Sequence, residues 1–158
     1  MAETDLSSVA SIADRVHPAF PENPAIFAER RHLHPEGCWV LDRDDGLAGY
    51  LVSHPWRAGR VPALNALLGR LPSDPNLFYI HDLALLPAAR GSGAPRPVLE
   101  RIVSHAHGQG YARMALVAVN GSIPFWSRFG FRVQEDEVPA AALHHYEESA
   151  RLMTRPLP

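Results

Sequence analysis

Arg90-Gly91-Ser92-Gly93 is a stretch that can hold an anion. It follows an apolar, aromatic-rich run from Leu77 to Leu86. It precedes Val98, Leu99, Ile102, Val103 and Ala106, which recur at helical spacing. Strand, glycine loop and helix in that order aim backbone N–H groups at a negative charge. Glycine lets the backbone approach closely, and Arg90 and Arg96 add charge nearby. The same residues also suit a plain strand-to-helix turn with two solvated arginines. The flanking sequence separates these readings.

Arg90-Gly91-Ser92-Gly93-Ala94-Pro95 resembles the Arg/Gln-x-x-Gly-x-Gly/Ala pyrophosphate loop of the GCN5-related N-acetyltransferase (GNAT) family. The strand entering it ends Leu83-Ala84-Leu85-Leu86-Pro87, similar to that family's acetyl-CoA strand. Downstream, Asn120 and Phe125-Trp126-Ser127-Arg128-Phe129-Gly130-Phe131 resemble its Asn…Phe-Tyr-x-x-x-Gly-Phe signature. The matches keep the family's order, and the resemblance runs from about Gly37 to the end. It implies an acetyl-CoA-dependent N-acetyltransferase that modifies a primary amine of a small molecule or peptide. Acetyl-CoA is then the acyl donor, and no metal takes part. The rival reading is a non-catalytic acyl-CoA-binding or interaction module that kept the fold, favoured by Trp126 and Pro95.

Moving an acetyl group from a thioester to an amine needs a held donor, a polarised carbonyl, a neutral amine and a proton for the leaving thiolate. By the resemblance, Gly91, Ser92, Gly93 and Ala94 hold the pyrophosphate through backbone N–H groups, with Arg90 and Arg96 beside them. Leu83, Leu85 and Leu86 hold the pantetheine arm through backbone atoms, the N–H of Leu85 polarising the carbonyl. Alternation along a strand puts Tyr79, His81, Leu83 and Leu85 on one face and Asp82 on the other. Histidines of arylalkylamine-type relatives match Tyr79 and His81, and histone-type relatives have a glutamate at the position of Tyr79. Histidine as a residue type suits proton removal, so His81 is the candidate base; the alternative is a hydrogen-bonded interior histidine. Trp126 stands where the family has its acidic tyrosine, and an indole N–H is no acid. Three outcomes follow, a thiolate protonated by water, an acid from elsewhere such as Tyr79, or a weak enzyme, and Trp126 packs against the pantetheine arm. Asn120 either bonds that arm or caps the next helix.

The elements that position these residues follow from periodicity and breakers. Thr4 or Asp5 caps a helix through about Val16, and a second covers Ala25 to Leu33. Cys38 to Leu41 and Leu47 to Ser53 read as strands joined at Asp44-Asp45-Gly46. His54 to Asn76 is irregular and rich in proline, with one or two helical turns over Ala63 to Leu68. A connection this long is more often functional than idle, so it, Tyr50 and Trp56 are candidates to line the acceptor site, with solvated loop and core as the alternative readings. A helix runs to about His107, a buried strand covers Ala112 to Val119, and a short helix covers Ser122 to Phe129. Strands follow at Phe131 to Gln134 and Glu147 to Thr154. The fold class is α/β, a GNAT-like mixed, mostly antiparallel sheet with helices on both faces. Its first strand is short or missing, since almost nothing precedes Asp5.

At 158 residues, with 46% hydrophobic and 20% charged content, one globular domain over 1–158 is expected. A net charge of −2 argues against a nucleic-acid surface. The start of the chain lacks a signal-peptide pattern, and the longest apolar run is too short for a bilayer. The single cysteine, Cys38, cannot form an internal disulfide. A cytoplasmic protein is expected, monomer or homodimer, bound to neither nucleic acid nor membrane. His32-x-His34 and His105-x-His107 lie at i, i+2 in helical stretches, where side chains face apart, so no metal site is expected.

Overall fold

The computed structural model describes every residue except Ser92 and His144. Two helices come first, α1 (Leu6–Val16) and α2 (Pro24–Leu33). The antiparallel pair β1 (Cys38–Arg43) and β2 (Gly46–Trp56) follows, then β3 (Leu77–Leu85). After them come α3 (Pro95–Gly108), β4 (Arg113–Ala118), α4 (Ile123–Ser127), β5 (Arg132–Val133) and β6 (Arg151–Pro156). The six strands form one sheet in the order β1-β2-β3-β4-β6-β5. Only β3 and β4 are parallel. The mixed, mostly antiparallel class is therefore as expected, and no strand precedes α1 among the described residues.

The two faces bury different side chains. Val9, Ile12 and Ala13 of α1 and Phe27 of α2 pack on Cys38, Tyr50, Val52 and Ala84. Leu99, Ile102, Val103 and Ala106 of α3 pack with Trp126 of α4 on Leu51, Phe78, Ile80, Met114 and Leu116. Each helix thus covers one face with its apolar stripe.

Several boundaries differ from expectation. β2 runs on to Trp56, because Leu77 and Phe78 pair with Trp56 and Pro55. Proline is tolerated there because β1 pairs with β2 only as far as Val52. The stretch 63–68 forms no helical turns. Asn65 is left-handed (φ 52°), and the backbone groups of this stretch bond to side chains elsewhere. Asn65 N–H donates to Glu22, Leu68 and Gly69 N–H donate to Glu29, and Ala66 O accepts from Arg30. β6 starts at Arg151, not Glu147, because Ala150 N–H closes a turn on Glu147 O at 3.0 Å. Asp5 is the N-cap residue of α1 but makes no side-chain cap bond, its carboxylate accepting from Ala2 N–H at 2.6 Å.

Candidate active site

β3 and β4 pair only at Phe78–Met114 and Tyr79–Ala115. Beyond Tyr79 the strands part, and a cavity of about 580 Å³ opens in the gap. Leu83 and Leu85 of β3, Leu116 and Val117 of β4, and Phe125 and Trp126 of α4 line it. It reaches through the sheet from the α3–α4 face to the α1–α2 face.

The ladder with β2 decides which backbone groups face the gap. Leu86 N–H donates to Ala48 O at 2.9 Å, and Leu85 opposes Gly49. Hydrogen-bonded and non-hydrogen-bonded pairs alternate in an antiparallel ladder. Leu86, Ala84 and Asp82 therefore turn their backbone groups toward β2. Leu83 and Leu85 turn theirs away from it, into the space that β4 leaves. Arg90 Nε donates to Leu85 O at 3.3 Å, which ties the donor loop to the end of this edge.

A bulge breaks the expected side-chain alternation. Val52 opposes Asp82 while Ser53 opposes Ile80, so His81 is the extra residue of β3. Phe78, Ile80 and Leu83 belong to the α3 face, whereas Tyr79, His81, Asp82 and Ala84 face α1 and α2. His81 thus shares a face with Tyr79 and with Asp82, and not with Leu83 or Leu85. One inserted residue brings two adjacent polar side chains to the same mouth of the cavity.

That mouth holds two histidine–carboxylate pairs. His81 Nε2 lies 3.0 Å from Glu22 Oε2, the side chains only 5% and 7% exposed. Burial pushes the Glu22 carboxyl up; the His81 bond and charge and Asn65 N–H outweigh it and hold its pKa below the ordinary value. An ionised carboxylate only accepts, so His81 Nε2 donates and Nδ1 carries the free lone pair of the neutral ring. His17, just past α1, places Nε2 3.1 Å from Asp82 Oδ1, off the hydrogen-bond direction but in close charge contact. Tyr50 O–H donates to the other oxygen of Asp82. Beneath His81 is His54, fully buried, its ring 6.1 Å from that of His81. His54 Nδ1 donates to Pro55 O at 2.9 Å, Nε2 has no partner, and burial followed by the His81 charge drives its pKa to about 3.

In the loop that follows Arg90, Gly91 and Gly93 are exposed and left-handed (φ 77° and 80°), a conformation that favours glycine. Pro95 opens α3 at its first position, and Arg96 N–H is already bonded to Gly93 O at 3.1 Å. Pro95 and Pro97 have no N–H, so the first turn of α3 is poor in donors.

The acetyltransferase (GNAT) family profile matches residues 6–131. The chain belongs to this family. Rice (Oryza sativa subsp. japonica) serotonin N-acetyltransferase 2, chloroplastic, is 26% identical over 140 residues, 89% of this chain and 62% of that protein. The chain thus spans less than two thirds of that relative. Among solved structures, Ard1 from Thermoplasma volcanium superposes with a TM-score of 0.75 at 16% identity, covering 100% of this chain and 95% of that one. The GNAT-like decarboxylase GphF, in complex with isobutyryl-CoA, gives 0.78 at 17% identity, covering 100% and 97%. At such identities the two structures share the fold.

In this GNAT chain Leu83, Leu85, Arg90, Asn120, Trp126 and His81 all line the cavity. Leu86 does not, because its N–H is spent on Ala48. Tyr79 does not line it either: it is buried behind Tyr146, its hydroxyl partner, and burial first of all pushes its pKa well above the ordinary value. Gly91, Gly93, Ala94 and Arg96 lie at the loop outside the cavity, Arg96 stacking over the Phe129 ring at 5.8 Å. Ser92 lies outside the described residues. Asn120 is left-handed (φ 54°) and does not cap α4, whose N-cap is Ser122. Trp126 is 7% exposed and packs edge-on against Phe125 and Phe131 while bordering the cavity. Burial raises the Cys38 thiol to about 11, which removes it as a nucleophile. Tyr50 is buried beneath the site and reaches it through Asp82. Among the described residues no three potential metal ligands converge, and no helix is long and apolar enough to cross a membrane.

The sequence reading missed His17, Phe20, Glu22, Leu64 and Tyr146, which line the α1–α2 mouth. The signal lay in the prolines. Pro18, Pro21 and Pro24 stiffen the α1–α2 connection around His17 and Glu22. Two polar residues fixed in such a segment are candidates for a site.

Proposed function

We propose that the chain is an acetyl-CoA-dependent N-acetyltransferase acting on a primary amine of a small molecule or peptide. The observation that carries this is the gap between β3 and β4. Two histidine–carboxylate pairs lie at one mouth, Arg90 at the start of the glycine loop lines the wall, and the backbone edge of Leu83 and Leu85 faces the gap. A pantetheine arm is an amide chain that can pair with such an edge. The thioester carbonyl then accepts from the Leu85 N–H, and the pyrophosphate lies against the loop from Arg90 to Ala94 with Arg96 beside it. Asn120 and Trp126 flank the arm.

His81 is the base. Glu22 fixes its ring by accepting from Nε2, and Nδ1 takes the proton from the amine, directly or through water. The 1–158 chain works as one domain without a metal, in the cytoplasm, as monomer or homodimer, engaging neither nucleic acid nor membrane. Its one cysteine, buried and unpaired, agrees with a reducing compartment. The rival is an acyl-CoA-binding module without turnover, favoured by the donor-poor start of α3. Thiol release from acetyl-CoA over a panel of amines separates them. Amine-dependent release supports the enzyme, and binding without release supports the module.

A further inference from the structure

Aminolysis of a thioester also needs an acid, because a thiolate leaves as a free base unless a proton meets it. The cavity offers few donors. Tyr146 O–H donates to Pro62 O at 2.7 Å, and burial raises its pKa to about 12. Trp126 has only an indole N–H, Ser122 only an aliphatic hydroxyl, and Arg90 only a guanidinium, none of them a residue type that serves as an acid. His81 is committed to Glu22. Among the described residues one titratable hydrogen-bond donor in the cavity wall, His17, is left without a role.

We propose that His17 is the general acid of this reaction, protonating the sulfur of the departing thiol. The proposal rests on the acetyl-transfer reading and adds the second proton to it. His17 follows the last turn of α1, where the helix end favours a cation. Its Nε2 is in contact with Asp82, the residue directly before Leu83, whose backbone faces the gap. Arg90, joined to Leu85 at the donor end, and Glu22, partner of His81, both act on it electrostatically. His17 thus shares the cavity wall with the base and with Arg90 of the donor loop. Burial lowers its pKa, but the Asp82 contact and charge, with Glu22, outweigh burial and Arg90 and leave it above the ordinary value. Asp82 is ionised, held below its usual range against burial by His17 and Tyr50.

The step balances without a further reactant. The amine lone pair forms the N–C bond at the carbonyl carbon, and the C–S pair departs with sulfur. His81 takes the proton from nitrogen, and the imidazolium of His17 gives its Nδ1 proton to sulfur while Nε2 keeps its own proton beside the Asp82 carboxylate. His81 releases its proton to solvent and His17 takes one up, so the net transfer is from amine to thiol.

The test is the pH–rate profile of the full chain with acetyl-CoA and an amine that it turns over. Wild type should show an alkaline limb where His17 loses its proton. His17→Gln keeps a polar side chain but no acid. Its kcat should fall by roughly 10²-fold, its alkaline limb should vanish, and acetyl-CoA affinity by calorimetry should stay within about twofold. Asp82→Asn removes the charge that raises His17, so the limb should move to lower pH. A His17→Gln variant that retains the limb and about a third of the turnover overturns the proposal alone. If His17→Gln does not fold, an unshifted limb in Asp82→Asn overturns it. Wild type that binds acetyl-CoA and shows no amine-dependent thiol release overturns the acetyl-transfer reading, and this proposal with it.

Discussion

The two mouths of the cleft are made from different materials. At the proposed donor mouth the chemistry lies in backbone atoms, delivered by one local sequence of strand, glycine loop and helix. At the proposed acceptor mouth it lies in side chains from segments far apart in the chain. His17 and Glu22 come from the end of α1 and the α1–α2 connection, His81 and Asp82 from a bulge in β3, and Tyr146 from the stretch before β6. A backbone site tolerates changes of side chain, whereas a side-chain site depends on every contact that aims it. The α1–α2 connection is stapled to the 57–76 loop, with Asn23 N–H donating to Asn65 Oδ1 at 2.7 Å and Asn65 N–H to Glu22 at 3.1 Å. Arg30, fully buried, pairs with Glu29, and together they fix the next residues of that loop.

This contrast sets an order of expected effects. The largest falls on the acceptor mouth. His81→Ala should lower kcat by about 10²-fold or more and leave acetyl-CoA affinity within a factor of two. Stopped-flow thiol release and calorimetry read the two numbers, and a loss confined to cofactor binding would place His81 on the donor side. Glu22→Gln keeps an acceptor for His81 but loses the carboxylate, and kcat should drop by roughly tenfold with KM for acetyl-CoA unchanged. An equal rise in both KM values would mean that Glu22 only holds the loop.

The donor mouth should respond more weakly and in the opposite sense. Pro95→Gly restores an N–H at the start of α3. A charge-assisted bond contributes on the order of 1.5–3 kcal/mol, part of it masked by the flexibility that glycine adds to the unfolded chain. Acetyl-CoA should bind severalfold tighter, with kcat little changed. Equal or weaker binding in a variant of equal stability shows that residue 95 does not face the phosphates.

The smallest effect on activity, and a clear one on stability, comes from His54. Its folded pKa of about 3 lies well below its unfolded value, so the unfolded chain binds the extra proton between roughly pH 6.5 and pH 3. Stability should therefore fall as pH drops through that window. Urea midpoints measured from pH 7 to pH 4 should fall less in His54→Gln than in wild type, and parallel curves would remove His54 from the acid response.

The same contrast explains how much the sequence disclosed. Periodicity and breakers located the helices and strands, and the run from Leu83 to Arg96 carries the proposed donor mouth within one local stretch whose glycines have a conformational reason. The acceptor mouth was hidden for physical reasons. Strand alternation put His81 with Leu85 and Asp82 opposite, since a bulge leaves no periodic mark. Tyr79 was read as a site residue, but its hydroxyl is used by Tyr146, a partner 67 positions on that no local pattern predicts. Ala63 to Leu68 was read as helical because its composition allows it. Side chains of Glu22, Glu29 and Arg30 compete for its backbone and win.

The central claim is that one cleft joins an acyl-CoA donor to an amine whose proton goes to His81. Single-turnover thiol release from acetyl-CoA tests it most directly, with wild type and His81→Ala compared across an amine panel at saturating cofactor. The account predicts amine-dependent release in wild type, reduced about 10²-fold in the variant although both bind the cofactor equally. Tight binding of acetyl-CoA with no amine-dependent release in wild type, or equal release from both proteins, contradicts it.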